Sequence, residues 1–169
     1  MSLSLARVTM HAATLVTVAL STVFSPALGP PHITVRPVTD ASAAPAGAVL
    51  LVETTHHTDI ADLNVTGRAE GLVNGKRVSL PLRFVRQSVG HYSLSRQWQS
   101  GSPWVLVLSA EQGPDGTHGV AEAIIKVEVS GAFASIDYPA AGWINRSDTP
   151  KRTAAADIEA LLASMVARR

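Results

Sequence analysis

The sequence predicts an all-β domain, an antiparallel β-sandwich of about seven strands, followed by a C-terminal α-helix. Three observations predict it. From Ala48 onward, short apolar runs are broken at regular intervals by turn residues. Two of those turns, Asn74-Gly75 and Ser130-Gly131, are flanked by segments whose alternation agrees with hairpin pairing. After Thr149-Pro150 the apolar spacing changes to Ile158, Leu161, Leu162 and Met165, the period of a helix.

Ahead of the domain, the chain begins with Arg7 and an unbroken run, Ala12 to Phe24, that is rich in apolar residues. Pro26 and the small-residue exit Ala27-Leu28-Gly29 follow. That order of charge, apolar core and small residues is the pattern of a secretory signal peptide over residues 1–29. The run is shorter than the ~20 residues a membrane-spanning helix needs. No later segment is long and apolar enough either, so no stable membrane span is expected once the signal is removed. The sequence therefore predicts a periplasmic or secreted protein.

Residues 30–47 (PPHITVRPVTDASAAPAG) read as a linker, with one short edge strand around Ile33–Val35. The sandwich occupies 48–140, with strands near 48–54, 62–72, 77–86, 91–98, 103–110, 120–129 and 132–138. The Asn74-Gly75 turn places Val65 opposite Phe84, Gly67 opposite Leu82, Ala69 opposite Leu80 and Gly71 opposite Val78, all facing inward. Thr66, Arg83, Glu70 and Ser79 then face outward. A two-residue Ser130-Gly131 turn would set Val129 against Ala132, Val127 against Ala134, Ile125 against Ile136 and Ala123 against Tyr138. Pro103–Leu108 (PWVLVL) is apolar on both faces and reads as a central strand covered on both sides. The extension 141–169 carries the amphipathic helix, capped by Thr149-Pro150 and ending in Arg168-Arg169. Packing on the sandwich is the simplest role for it; binding a partner or a second copy is the alternative.

Composition narrows the function. Arg7 is the one charged residue of the leader, so the remainder of the chain carries equal numbers of Lys+Arg and Asp+Glu and is formally neutral. Neutrality argues against a nucleic-acid partner and against a polybasic membrane contact. There is no cysteine, hence no disulfide, no thiol nucleophile and no lipid anchor through an N-terminal cysteine. GxSxG, HExxH, EF-hand, Walker and GxGxxG patterns are all missing. The carboxylates fall mostly where strands read as solvated, Glu122 and Glu128 alternating outward with Lys126. Asn64-Val65-Thr66 and Asn145-Arg146-Ser147 match the glycosylation pattern, a short motif that chance also produces. Arg77, Arg83, Arg86 and Arg96 make residues 68–96 locally basic, as a solvated face that discourages edge pairing would be; a contact surface for an anionic polymer or partner is the alternative. Trp98 and Trp104 read as core or core-edge residues, and Trp143 as packing under the helix.

The histidines form the one metal-like pattern. With consecutive strands antiparallel, both hairpin turns and the loop at 99–102 fall at one end. The connections at 55–61, 87–90 and 111–119 fall at the other. That second end collects His56, His57, His91 and His118, with Asp59, Asp62 and Asp115. Imidazole with carboxylate is a normal ligand set for zinc or copper(II), and His56, His57, His91, His118 and Asp59 are the metal-ligand candidates. With no methionine in the domain before Met165, a soft copper(I) site is disfavoured.

From Val65 to Leu108 the chain resembles exported Ig-like modules of the YtkA-like and carboxypeptidase-regulatory-like kind. The resemblance is carried by Val65-Thr66-Gly67-Arg68-Ala69, Gly90-His91-Tyr92, Gly101 and Trp104-Val105-Leu106-Val107. It implies an Ig-like or transthyretin-like sandwich and an extracytoplasmic metal-related or accessory role. The expected function is a non-catalytic binding or accessory module for a protein or small ligand, with no cofactor. The alternatives are a periplasmic copper or zinc protein using the histidine end, and a hydrolase on a sandwich scaffold.

Overall fold

A computed structural model describes residues 30–140 and 151–167. Its strands are β1 (Pro31–Pro37), β2 (Ala48–His56), β3 (Asp59–Ile60), β4 (Asn64–Val73), β5 (Lys76–Pro81), β6 (Val85–Ser88), β7 (His91–Ser95), β8 (Trp104–Gln112), β9 (Gly119–Val127) and β10 (Phe133–Asp137); one helix, α1 (Ala155–Val166), follows. The expected signal peptide, Trp143, the Thr149-Pro150 cap and Arg168-Arg169 lie outside the described residues.

The strands form two antiparallel sheets. The first runs β1-β2-β7-β6, with β3 also paired to β2; the second runs β10-β9-β8-β4-β5. The two pack face to face over one core, and α1 covers the outer face of the second. The fold is an all-β sandwich with a C-terminal helix, as the sequence predicted, although ten strands replace about seven. One of the additional strands comes from a split, where the segment expected at 77–86 breaks as the chain crosses between sheets after Pro81; another is the short β3, which forms within the connection expected at 55–61. The third is β1. Residues 31–37, expected to be linker around a short edge strand, pair with β2 along their whole length and bury Ile33 and Val35 in the core.

The Asn74-Gly75 hairpin has the predicted register, with Ala69 facing Leu80 and Gly71 facing Val78. Asn74 (φ 51°) and Gly75 (φ 75°) both take the left-handed backbone that a type I′ turn requires. The ladder stops at Arg68 and Pro81, and one bond from Leu82 N–H to Gly67 O (2.9 Å) carries the pairing a step further. The second hairpin differs at its tip. Glu128 N–H donates to Ala132 O (2.9 Å) and Gly131 N–H to Glu128 O (2.8 Å), which closes a three-residue loop with Gly131 left-handed at φ 89°. Phe133, not Ala134, therefore faces Val127, and a bulge between Phe133 and Ser135 restores the predicted pairing of Ile136 with Ile125. The reason is packing: the shift turns an aromatic ring into the core, edge-on to Trp98 with ring centroids 6.4 Å apart.

β8 is the central strand of its sheet and is buried along nearly its whole length. Trp104, Leu106, Leu108 and Ala110 enter the main core with Leu50, Val52, Leu94, Ile125 and Val127. Val105 and Val107 point the other way and join Ile124, Ile158 and Leu162 in a second, smaller cluster. The two-faced apolar pattern of PWVLVL thus has two distinct partners, a sheet and a helix. Trp98 and Trp104 are both buried, so neither presents a face for stacking on a ligand.

The sheet edges are each guarded. Tyr138 Oη accepts from Val35 N–H (3.0 Å) and donates to Val35 O (3.1 Å), covering β1. β10 and β6 carry register shifts, and β5 is lined by Lys76, Arg77 and Pro81.

Candidate functional site

The histidine-rich end is real as a location: the strand ends that carry the four histidines lie at one end of the sandwich. β2 ends there, and His57 (φ 56°) and Thr58 turn the chain into β3. β7 begins there at His91, and the 3₁₀ turn Pro114–Gly116 joins β8 to β9 ahead of His118. The rings have different immediate partners. His56 and His57 lie with centroids 4.4 Å apart, and Gln112 Nε2 is 3.3 Å from His56 Nε2. His91 sits on the outer face of the first sheet, with Nε2 3.3 Å from Glu53 Oε2 and Nδ1 2.8 Å from Val89 O. His118 packs beside Gly113 in the β8–β9 loop. Asp59 pairs with His56 through the backbone ladder of β2 and β3. Among the described residues no three His, Asp or Glu side chains are gathered to hold a metal ion.

Asp62, from the same group of loops, has a different task. Arg86 donates to both of its oxygens (3.0 and 2.8 Å), and Tyr92 Oη donates to Asp62 Oδ1 (2.9 Å) and to Leu63 O (2.6 Å). The bonds from Arg86 and then from Tyr92 hold the Asp62 carboxyl below its usual range. Burial, followed by the bond to Asp62, pushes the Tyr92 hydroxyl up to about 12. This triad fastens β6 and β7 to the start of β4, beside a cleft of about 350 Å³ that Phe84, Leu82 and Val65 also line.

The most developed polar constellation lies on the outer face of the second sheet, where the sequence suggested solvated carboxylates. Glu70, Glu111 and Glu122 are buried there, at 7%, 8% and 5% exposure. Chain segment 151–167 lies over them. Glu122 Oε2 accepts from both the N–H and the Oγ1 of Thr153, each at 2.6 Å, and Glu122 Oε1 accepts from Ser109 Oγ (3.2 Å). Glu111 Oε1 pairs with Arg152 (3.0 Å), and its Oε2 accepts from Asn64 Nδ2 (3.0 Å). Glu70 binds Ser79 Oγ (3.0 Å), Arg68 and Arg77 (3.1 Å each), and Arg77 reaches on to Glu159 of α1 (3.0 Å). Arg77 is thus part of an ion-pair chain between the sheet and the helix. The four residues before α1 are not helical, so the helix starts later than Pro150, with Ala154 at its N-cap. The bond from Thr153 N–H to Glu122 holds that stretch extended.

Sequence reasoning placed Glu122 outward correctly but missed what covers it. The signal was present: Glu122 and Glu111 both lie in or directly after runs apolar on both faces, where an outward acid has a covering partner. Two further clefts border the segment. One of about 290 Å³ opens between Met165, Pro103 and the β9–β10 hairpin; the other, about 250 Å³, lies between β9, Pro139 and Lys151–Thr153.

Compared with known protein families, curated proteins and solved structures, the chain matches none.

Proposed function

We propose that this protein is an exported, non-catalytic binding or accessory module that works in the periplasm or outside the cell. The observation that carries the reading is how the buried carboxylates are used. Glu70, Glu111 and Glu122 direct their oxygens at side chains and backbone of the domain itself; Glu111 and Glu122 fasten the covering segment directly, and Glu70 does so through Arg77. A general acid or base must instead reach a substrate proton in an accessible cleft. The leader-like residues 1–29 support the export half of the proposal, and the resemblance to exported Ig-like modules points the same way.

Two measurements test it. Cells expressing the full chain are fractionated and the N-terminus of the recovered protein is read by mass spectrometry. A chain starting near Pro30 outside the cytoplasm is expected; an intact Met1 chain kept in the cytoplasm overturns export. Glu122→Gln is expected to lower thermal stability while a panel of ester, glycoside and peptide substrates shows no turnover by either form. Turnover that Glu122→Gln abolishes would replace the binding reading with a hydrolytic one.

A further inference from the structure

We propose that the outer face of the second sheet is a docking surface for an amphipathic helix preceded by an Arg-Thr pair, and that residues 151–167 are its resident occupant. The proposal rests on the binding-module reading and names the site and partner class for it.

Three features of the face point to recognition of a separable segment. First, it presents two acceptors in fixed positions on neighbouring strands. Glu111 and Glu122 project from β8 and β9, whose ladder continues on both sides into β4 and β10. The acids are therefore held in place by the sheet, not by the segment they bind. Two carboxylates buried beside an apolar strip are costly unless each finds a donor, so the face discriminates against a helix that brings none.

Second, the arginine has a built receptor. Arg152 Nη2 lies 3.0 Å from Glu111 Oε1 and donates to Asp115 O (3.3 Å). The approach is open because residue 116 is glycine: a Cβ there would stand 3.3 Å from Arg152 Nη2 and only 2.4 Å from Val120 Cγ2. Asp115 (φ 53°) and Gly116 (φ 76°) both take left-handed backbone to shape the loop. Third, the apolar half is a separate cluster. Val105, Val107 and Ile124 receive Ile158 and Leu162 and share nothing with the main core on the other side of the sheet. A polar anchor ahead of two apolar residues one turn apart is the helix-in-groove mode of recognition.

The resident segment competes from within the chain at an effective concentration of order millimolar. A free helix of the same pattern is therefore excluded until the resident one is displaced. Release is tested on the full chain with Ile158→Asp and Leu162→Asp together, and the probe is a labelled synthetic peptide of residues 151–167. The released variant is expected to bind the peptide at least tenfold more tightly than the wild type. Adding Glu111→Ala and Glu122→Ala should then weaken that binding at least tenfold. A released variant that keeps its strand circular dichroism yet binds no better than wild type overturns the proposal, as does binding that ignores both glutamates.

If the aspartate pair prevents folding, a second measurement decides. The chain lacks cysteine, so an Arg77→Cys chain can be mixed with a Glu159→Cys chain and treated with a flexible bis-maleimide, which spans the gap that the two long side chains bridge there. A cross-linked pair in excess over either variant alone shows the segment of one copy on the face of another. No such excess at high protein concentration refutes the proposal. Neither result depends on export, so the location of the protein and the identity of the site fail separately.

Discussion

Gly71→Ala probes a close approach between backbone and ring in the core. Gly71 pairs with Trp104 across the β4–β8 ladder and with Val78 across β4–β5. Its backbone is not left-handed, so alanine meets no conformational penalty there. The added methyl would, however, stand 2.5 Å from Trp104 Cδ2 and Cε3 and 2.8 Å from Cζ3. Ordinary carbon contacts lie at ~3.5–4.0 Å, so the ring must withdraw by about 1 Å. It has nowhere to go: Trp104 is 1% exposed, and its Nε1–H is held by Gln99 O at 2.8 Å. Overpacking of this kind costs about 1–3 kcal/mol, against a gain of about 0.4–1 kcal/mol from stiffening the unfolded chain. The net expectation is a loss of about 1–2 kcal/mol. Urea denaturation followed by circular dichroism should show a lower midpoint with an unchanged slope. In a Trp104→Leu background the same substitution should be neutral or stabilising, because the smaller side chain vacates the space. Gly71→Ala as stable as the wild type, or equally damaging in the Trp104→Leu background, refutes the packing account.

Tyr92→Phe leaves Leu63 O without its 2.6 Å donor and should lower stability by about 1–3 kcal/mol in the same assay. Because folding raises the Tyr92 value from 10 to about 12, the folded state holds a proton that the unfolded chain releases in that interval. The wild type should lose stability as pH rises from 10 to 12, and Tyr92→Phe should lack that decline. Asp62 works with the opposite sign: its lowered value gives a contribution present above the ordinary carboxylate range and lost as acid protonates it, a step Asp62→Asn should remove. Leu162→Ala, which empties part of the helix–sheet cluster, should cost about 2–5 kcal/mol of helix docking. Hydrogen exchange should then show α1 amides unprotected while those of β8 remain slow.

The turn at Asn74-Gly75 was legible because its chemistry is local. Only a few residues accept the left-handed backbone, and alternation then fixes which side chains face inward. Ser130-Gly131 was less legible, since the same residues accept a two- or a three-residue loop. The choice fell to Phe133 and Trp98, which meet only in the folded core. The histidine end shows the same limit at the level of a site. Strand direction correctly put His56, His57, His91 and His118 beyond the same strand ends. Which way the rings of His56, His91 and His118 point depends on Gln112, Glu53 and Gly113, none of them a direct chain neighbour of the histidine it meets.

By itself, the sequence determined the class of the domain, the pairing of β4 with β5, the two-faced character of β8 and the presence of a C-terminal helix. Each of these rests on periodicity or turn chemistry within a few residues. Only the tertiary structure decided that β1 belongs to the sandwich and that Glu111 and Glu122 lie beneath residues 151–167. An outward-facing carboxylate has the same sequence pattern whether water or a distant arginine satisfies it. The difference is made by a contact across the chain, such as Arg152 with Glu111, which no local rule encodes.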